Sequence, residues 1–358
     1  MKVVIYTHYL KNGGAEKRAS IFANYLFKNK VDVEVVLMHQ VEQEYPLNQN
    51  ICKHYIANSK QEYKALSKKE RLNKLTSILE EIKPTIIISF LSTYGLYAVL
   101  AKRKSKQLKN TKLIYAVSLY QRKYDLRHRI IDFLACLHSS YIFLQCNEQY
   151  KCNKLFKKKC YVIYNPIEDK WNEVSLERTY EDLAIISIGR LDKQKNYPLT
   201  IKVVKEFHKQ NPKVSLDIYG EGKLKEKLNK LISRLNASEY IKIHPFSFEI
   251  EKEYLKHNIY ISSSRYEGFP NSLVEAMMSS LVSLSFPCPT GPKEIIESNV
   301  NGLLFKTKKE LISILNQLSQ NKNMCISLAK EARLSTLNNF ETNKSLSNLV
   351  KILNEIDN

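Results

Sequence analysis

The chain has 358 residues, 44% of them hydrophobic, with 56 Lys+Arg against 36 Asp+Glu and a formal net charge of +20. That length and composition suit about two packed domains, and they exclude general disorder, a collagen-like fibre and a disulfide scaffold. The excess charge is uneven: residues 1–165 hold 29 basic and 12 acidic side chains, whereas residues 166–358 hold 27 and 24. Such asymmetry points to a polyanionic neighbour: nucleic acid, an anionic membrane surface or an acidic substrate. A lysine-rich composition gives the same bulk excess, although not its one-sidedness.

In chain order, the first expected strand is 3–6, inside MKVVIYTHYL, whose apolar run is too short for a signal peptide. Further short β-branched runs at 33–38, 85–90, 112–117, 141–144 and 161–163 read as strands. Helical patterns such as 15–29 and 68–82 lie between them, which implies βαβ units around a parallel sheet. The longest uncharged stretch, 84–101, contains Ser89, Ser92, Thr93, Tyr94 and Gly95 and reads as a buried strand entering a helix, not as a membrane span. At Asn165-Pro166 the pattern breaks into polar, acidic sequence, so the first domain is placed at 1–165 and a linker at 166–182. Strands resume at 183–188, 214–219, 241–244, 259–262 and 282–286, with helices at 199–210, 223–235 and 270–279. The second domain is placed at 183–335. The tail from Lys309 reads as helical throughout, and 336–358 as a terminal helix able to cross back to the first domain. Two α/β halves in series imply a cleft between them. The seven cysteines form no C-x-x-C pair and no Cys/His cluster with ligand spacing, so free thiols in a reducing cytosol are expected and a zinc site is not.

Three strings carry chemistry. Gly13-Gly14-Ala15-Glu16 follows a strand and opens a helix; glycines admit a ligand close to the backbone, and helix N-terminal N–H groups attract anions. A plain strand-to-helix turn has the same appearance, and the dinucleotide fingerprint G-x-G-x-x-G is absent. Gly189-Arg190-Leu191-Asp192-Lys193-Gln194-Lys195-Asn196 follows another strand, where ligands of open α/β sheets bind. There Arg190 offers a planar fork and Lys195 a point charge to a diphosphate; the alternative is a solvated basic loop. The most specific string is Glu267-Gly268-Phe269-Pro270-Asn271-Ser272-Leu273-Val274-Glu275-Ala276-Met277. Pro270 presets φ early in a helix, so N–H groups near Asn271, Ser272 and Leu273 are expected to face a phosphate. Glu267 precedes the helix and Glu275 comes about one turn in, so two carboxylates can hold hydroxyls on different parts of one extended ligand. A capped helix with two surface glutamates is the plainer reading, and the length of the string argues against it.

On these residues the chain resembles the GT-B glycosyltransferases of family 4, retaining enzymes of bacterial capsule, O-antigen and glycan assembly. Glu267 and Glu275 match the family's E-x7-E signature, Arg190 and Lys195 its donor-diphosphate pair, and GGAE its N-terminal glycine loop. Cys288-Pro289-Thr290-Gly291-Pro292-Lys293-Glu294-Ile295-Ile296 and Asn301-Gly302-Leu303-Leu304 also look like this family, in the family's order. The resemblance implies an α/β fold of two Rossmann-like domains facing across a cleft, and a nucleotide diphosphate sugar, with UDP as carrier, as donor substrate without further cofactor. It implies that Glu275 binds the ribose, that Glu267 contacts the donor sugar, and that Arg190 and Lys195 neutralise the leaving diphosphate. Gly268, Phe269, Asn271, Ser272 and Leu273 are implied to cradle the sugar and distal phosphate, with Gly14 also on the donor. The base is implied near His244-Pro245-Phe246, beside the turn Gly220-Glu221-Gly222. No D-x-D pair is present, so metal-independent chemistry with retention is expected, the departing phosphate taking the acceptor's proton. Many relatives carry a His where this chain has Ser118-Leu119-Tyr120-Gln121-Arg122, so no His is given a catalytic role, His8 included.

In the family the N-terminal domain receives the acceptor. Here residues 102–129 concentrate Lys102, Arg103, Lys104, Lys106, Lys109, Lys112, Arg122, Lys123, Arg127 and Arg129 against Asp125 alone, with Tyr115, Tyr120, Tyr124 and Leu126 interleaved. This stretch suits an anionic membrane, at about 1 kcal/mol per basic residue near the surface, and a polyprenyl-diphosphate-linked glycan as acceptor; a solvated charged face is the alternative. The expectation is therefore a peripheral enzyme on the cytoplasmic, inner face of the cell membrane that adds a hexose or N-acetylhexosamine to a growing lipid-linked glycan. A non-catalytic GT-B partner subunit is disfavoured by intact Glu267, Glu275, Arg190 and Lys195. A nucleic-acid-binding protein, suggested by the net charge, is disfavoured because no recognised motif occurs.

Overall fold

The computed structural model describes residues 1–11, 13–118, 126–168, 171 and 178–357. The chain divides into two units, Met1–Pro166 with Ser345–Asn358, and Ile167–Lys344. Most of the stretch expected as a linker, residues 167–182, thus belongs to the second unit.

The first unit runs β1 (Lys2–Tyr6), α1 (Gly14–Lys28), β2 (Asp32–His39), β3 (Lys53–Ala57), α2 (Lys60–Ala65), α3 (Lys68–Ile82), β4 (Ile86–Phe90), α4 (Ser92–Lys104), β5 (Lys112–Ala116), α5 (Leu126–His138), β6 (Tyr141–Leu144), α6 (Asn147–Cys152) and β7 (Cys160–Val162). All seven strands are parallel, in the order β3-β2-β1-β4-β5-β6-β7. Helices cover a parallel sheet on both faces, which is why β4 (IIISF) is buried along its whole length. β3 (KHYIA) sits at the sheet edge, exposed at Lys53 and buried only at Ile56 and Ala57, so it carries no long apolar run. The charged helix α3 is held at its start by a capping box between Ser67 and Glu70. Arg18 of α1 is buried under the sheet's carboxyl edge, where its guanidinium donates to the carbonyls of Val117 (3.3 Å) and Ile163 (3.0 Å).

The second unit runs β8 (Ala184–Ile188), α7 (Tyr197–His208), β9 (Ser215–Tyr219), α8 (Lys225–Arg234), β10 (Ile241–His244), α9 (Ile250–Leu255), β11 (Ile259–Ser262), α10 (Asn271–Met278), β12 (Val282–Ser285), α11 (Pro292–Ile295), β13 (Leu303–Leu304), α12 (Lys308–Gln320) and α13 (Lys322–Phe340). Its parallel sheet has the order β10-β9-β8-β11-β12-β13. Both sheets therefore reverse their strand order once, between β1 and β4 and between β8 and β11. Ligands of doubly wound sheets bind at such switch points, beyond the carboxyl ends.

The tail is not one continuous helix. It breaks at Asn321, whose side chain accepts from the Met324 N–H to start α13, and again around Glu341, before α14 (Thr342–Leu346) and α15 (Leu349–Asp357). Leu346, Leu349, Leu353 and Ile356 then join the core of the first unit, where Asp357 lies 3.7 Å from the N-terminal ammonium.

Candidate active site

The loops leaving β8 and β11 meet at the switch point of the second sheet. Lys195 Nζ lies 2.6 Å from Glu267 Oε1, with both side chains largely buried. Two residues that motif reading leaves aside hold this pair in place. Asp192 accepts from the backbone N–H groups of Gln194 (2.9 Å) and Lys195 (3.2 Å), which fixes the turn. The buried side-chain amide of Gln194 donates to the Tyr266 carbonyl (2.8 Å) and to Glu267 Oε2 (3.3 Å). Gln194 Oε1 in turn accepts from Arg190 at 3.1 Å. Arg190 itself is 64% exposed, so its fork is tethered at one edge and open to solvent at the other.

Glu275 is buried one turn into α10, beside the buried Tyr254 hydroxyl, whose pKa is pushed well up by burial and further by that carboxylate. Tyr254 donates to the Ser272 carbonyl (2.9 Å), and the Tyr260 and Ser272 hydroxyls share a 2.8 Å bond. The Ser272 side chain thus serves the core. At the start of α10, Leu273 and Val274 both donate their N–H to the Pro270 carbonyl (3.0 and 3.3 Å), so an anion at the Leu273 N–H competes with a bond already made. Phe269 packs edge-on to Phe340 at 5.4 Å.

The segment after β12 braces the loop. Thr290 donates to the Glu267 carbonyl, and Gly291, at φ +90°, lies so close that a Cβ there would come 2.6 Å from Pro270 Cδ and 3.1 Å from the Gly268 carbonyl oxygen. Burial, with Glu267 adding, pushes the Cys288 thiol up to about 12, which keeps it protonated. At the far end of α10, Arg178 donates to the Ser279 carbonyl as well as to Tyr254 and His257 of the α9 end, and Arg333 donates to the Met278 carbonyl. Cations at a helix C-terminus oppose its dipole. Neither arginine stands in a motif, so no sequence signal marks them.

Beyond the carboxyl ends of β9 and β10 lies an open hollow of about 660 Å³, lined among others by Tyr219, His244, Phe246, Glu253 and Lys256. The rings of Tyr219 and His244 stack at 4.5 Å, and Asp217 fixes both His244 and His257. Gly220 lets this loop close on the next, because a Cβ would sit 2.0 Å from the Gly189 carbonyl oxygen. Glu267, Arg190, Lys195, Glu275, Gly220, Phe246 and the 268–273 backbone therefore all lie at one carboxyl edge.

The residues assigned to the first unit are placed differently. Gly14 opens α1, but the Glu16 carboxylate lies where a Gly13 Cβ would be, 2.1 Å away, so a negative charge already covers that helix start. The stretch 102–112 joins the end of α4 to the start of β5, at the amino edge of the sheet and opposite the edge that takes ligands. Lys106 and Lys109 are exposed there. Lys102 donates to the Thr111 carbonyl (2.6 Å), and burial lowers its pKa; Lys104 donates to Asn73, Arg103 reaches His138 at 3.0 Å, and Lys112 begins β5. This placement suits a surface contact and not a contact with substrate at the carboxyl edge. Arg122 and Lys123 fall outside the described residues.

Residues 170–335 match the family model described as glycosyl transferases group 1. An uncharacterized glycosyltransferase of Methanocaldococcus jannaschii is 30% identical over 264 residues, 65% of this chain and 63% of its own length. The amylovoran biosynthesis glycosyltransferase AmsD of Erwinia amylovora is 25% identical over 330 residues, 90% of each chain. A solved structure of Alr3699/HepE from Anabaena, in complex with UDP and glucose, superposes with a TM-score of 0.81 at 16% identity over 99% of this chain and all of that one. The fold is thus GT-B, and residues 170–335 resemble the glycosyl transferases group 1 model.

Proposed function

We propose that the chain is a retaining, metal-independent glycosyltransferase that moves a hexose or N-acetylhexosamine from a UDP-sugar to a growing, lipid-linked cell-surface glycan on the inner face of the membrane. The observation that carries this reading is the Lys195–Glu267 pair at the switch point, beside the start of α10. UDP and glucose in the HepE complex support the donor class, and the role of AmsD in amylovoran biosynthesis supports the acceptor class.

The chemistry follows from the side chains. A donor diphosphate entering this edge meets the Lys195 ammonium, the open face of Arg190 and the positive end of α10. As the glycosidic bond breaks, charge grows on the leaving phosphate oxygen, and these fixed charges stabilise it without reorganising. Glu267 keeps Lys195 oriented and offers its second oxygen to the sugar hydroxyls. Glu275 takes the ribose hydroxyls, and the base lies in the hollow against Tyr219 and Phe246. The acceptor attacks the face the phosphate leaves, which retains configuration, and the phosphate oxygen accepts the acceptor's proton.

A panel of nucleotide sugars tests this by thermal shift and by donor turnover. One UDP-sugar should raise the melting temperature, since a ligand that binds only the folded state stabilises it, and should be turned over with chelator present. NMR of the transferred sugar should show the donor's anomeric configuration. A panel with no shift and no turnover refutes the reading.

A further inference from the structure

We propose that the outer face of α5 is a membrane-insertion surface that seats the first unit on an anionic bilayer. Ten large hydrophobic side chains are exposed among the described residues, and four of them, Leu126, Ile130, Phe133 and Leu137, lie on this one helix. Their 4-3-4 spacing places them on a single stripe. The opposite face of α5 is already satisfied: Ala135 and Cys136 pack into the core with Tyr115, Val117 and Ile142, and Asp132 accepts from the Tyr115 hydroxyl. A helix that is apolar on both faces has a second partner to find, because water hydrates one of those faces at a cost.

The surroundings say what that partner is. Phe133 touches Phe156 at a centroid distance of 5.6 Å, which extends the stripe to the 3-10 turn Lys154–Lys159, where Leu155 is 73% exposed. Arg127, Arg129, Lys154, Lys157 and Lys158 are exposed around it. Between residues 126 and 162 the only acids are Asp132, which is buried, and Glu148. At the end of α5, His138 meets Arg103, so the cations that close α4 adjoin the stripe. An apolar stripe bordered by cations and almost free of exposed carboxylates is complementary to anionic headgroups over acyl chains. The helix runs from the sheet's carboxyl edge to its amino edge, so a bilayer along it meets both the basic 102–112 stretch and the edge at which a lipid-linked acceptor arrives.

This inference deepens the membrane partner proposed above and rests on it, but it is read by vesicle binding and not by turnover. Cosedimentation of the full chain with vesicles of phosphatidylglycerol and phosphatidylethanolamine should show binding that falls in phosphatidylcholine vesicles and at high salt. Leu126→Glu combined with Ile130→Glu, at two exposed positions, should lower partitioning roughly tenfold or more, with melting temperature and donor-induced shift kept. Because Trp171 is the only tryptophan and is buried, Ile130→Trp gives an independent readout: its emission should move to shorter wavelength with anionic vesicles. Unchanged partitioning of the double variant, or unmoved Ile130→Trp emission, overturns the proposal. So does a wild-type dimer that the double variant dissolves without any vesicle binding, since a second copy then covers the stripe. Vesicle binding without any donor turnover would sink the transferase reading and leave this surface standing.

Discussion

The two switch points share a topology and differ in what fills them. In the second unit the crossing holds an ion pair, Lys195 with Glu267, next to an open arginine. In the first unit, the loop after β1 and the first turn of α4 bring His8 against Tyr94, stacked at 5.5 Å, with His8 Nε2 at 3.1 Å from Glu16 Oε1. Burial, with His39 adding, pushes the His8 imidazole down to about 4, so it is neutral near pH 7 and donates to the carboxylate. One crossing presents cations that an incoming phosphate can share; the other is packed with uncharged rings and topped by an acid. The fold supplies the crevice twice, but the side chains decide which of the two takes a charged ligand.

Substituting each crossing tests that contrast. The largest effect is expected for Lys195→Met, which removes the cation proposed to face the leaving group: kcat should fall about 10²–10³-fold, whereas His8→Gln in the other unit should change it less than about threefold if that crossing makes no transition-state contact. Steady-state donor turnover reads both, and equal losses would break the contrast. Next is the buried support of α10. Arg333→Met leaves the Met278 carbonyl without that donor and should cost roughly 2–4 kcal/mol in urea unfolding, with a raised donor KM if Glu275 on α10 holds the donor as proposed; a stability loss with unaltered KM would separate the helix from the site. Glu275→Gln should raise donor KM roughly 10–50-fold, as expected for losing hydrogen bonds to a charged group, with kcat nearly kept; unaltered KM removes the ribose role.

The smallest effect belongs to the first unit. Burial raises the Asp132 carboxyl from its ordinary 3.8 to about 6, against the opposing pull of its bond to Tyr115. Between those values the folded state binds more protons than the unfolded one, so stability falls as pH rises through that window. Asp132→Asn keeps an acceptor for Tyr115 and cannot ionise. It should stabilise the chain by about 2 kcal/mol near pH 7, a gain that fades as pH drops toward 4. Denaturant melts at the two pH values check the sign, and a gain that grows on acidification would contradict it.

The strands of both sheets were legible wherever a parallel sheet demands an unbroken apolar run. β3 and the two-residue β13 were not, because an edge strand that opens on Lys53 and His54 and a strand that short give no such run. Lys195, Glu267 and Glu275 stand in dense strings, so their grouping at one edge could be anticipated. Arg178, Arg333 and Gln194 could not: each acts through a residue far along the chain, as when Arg178 meets Ser279, and no local spacing records that. The charge of 102–112 was plain in the sequence, but its place at the amino edge follows only from the strand order. The apolar stripe of α5 was hidden for a related reason: until the sheet is drawn, its two apolar faces look like one amphipathic pattern.

The return of α15 to the first unit bears on how this protein is made. Leu349, Leu353 and Ile356 follow the whole second unit along the chain, yet they close the core begun by Val3 and Ile5. The nascent first lobe therefore waits, with that part of its interior uncovered, until the whole second lobe has been synthesised. Domains commonly fold as they emerge; this order of assembly leaves the earlier lobe unfinished until the later one has been made, and it makes loss of residues 349–356 an injury to the lobe that holds Val3 and Ile5.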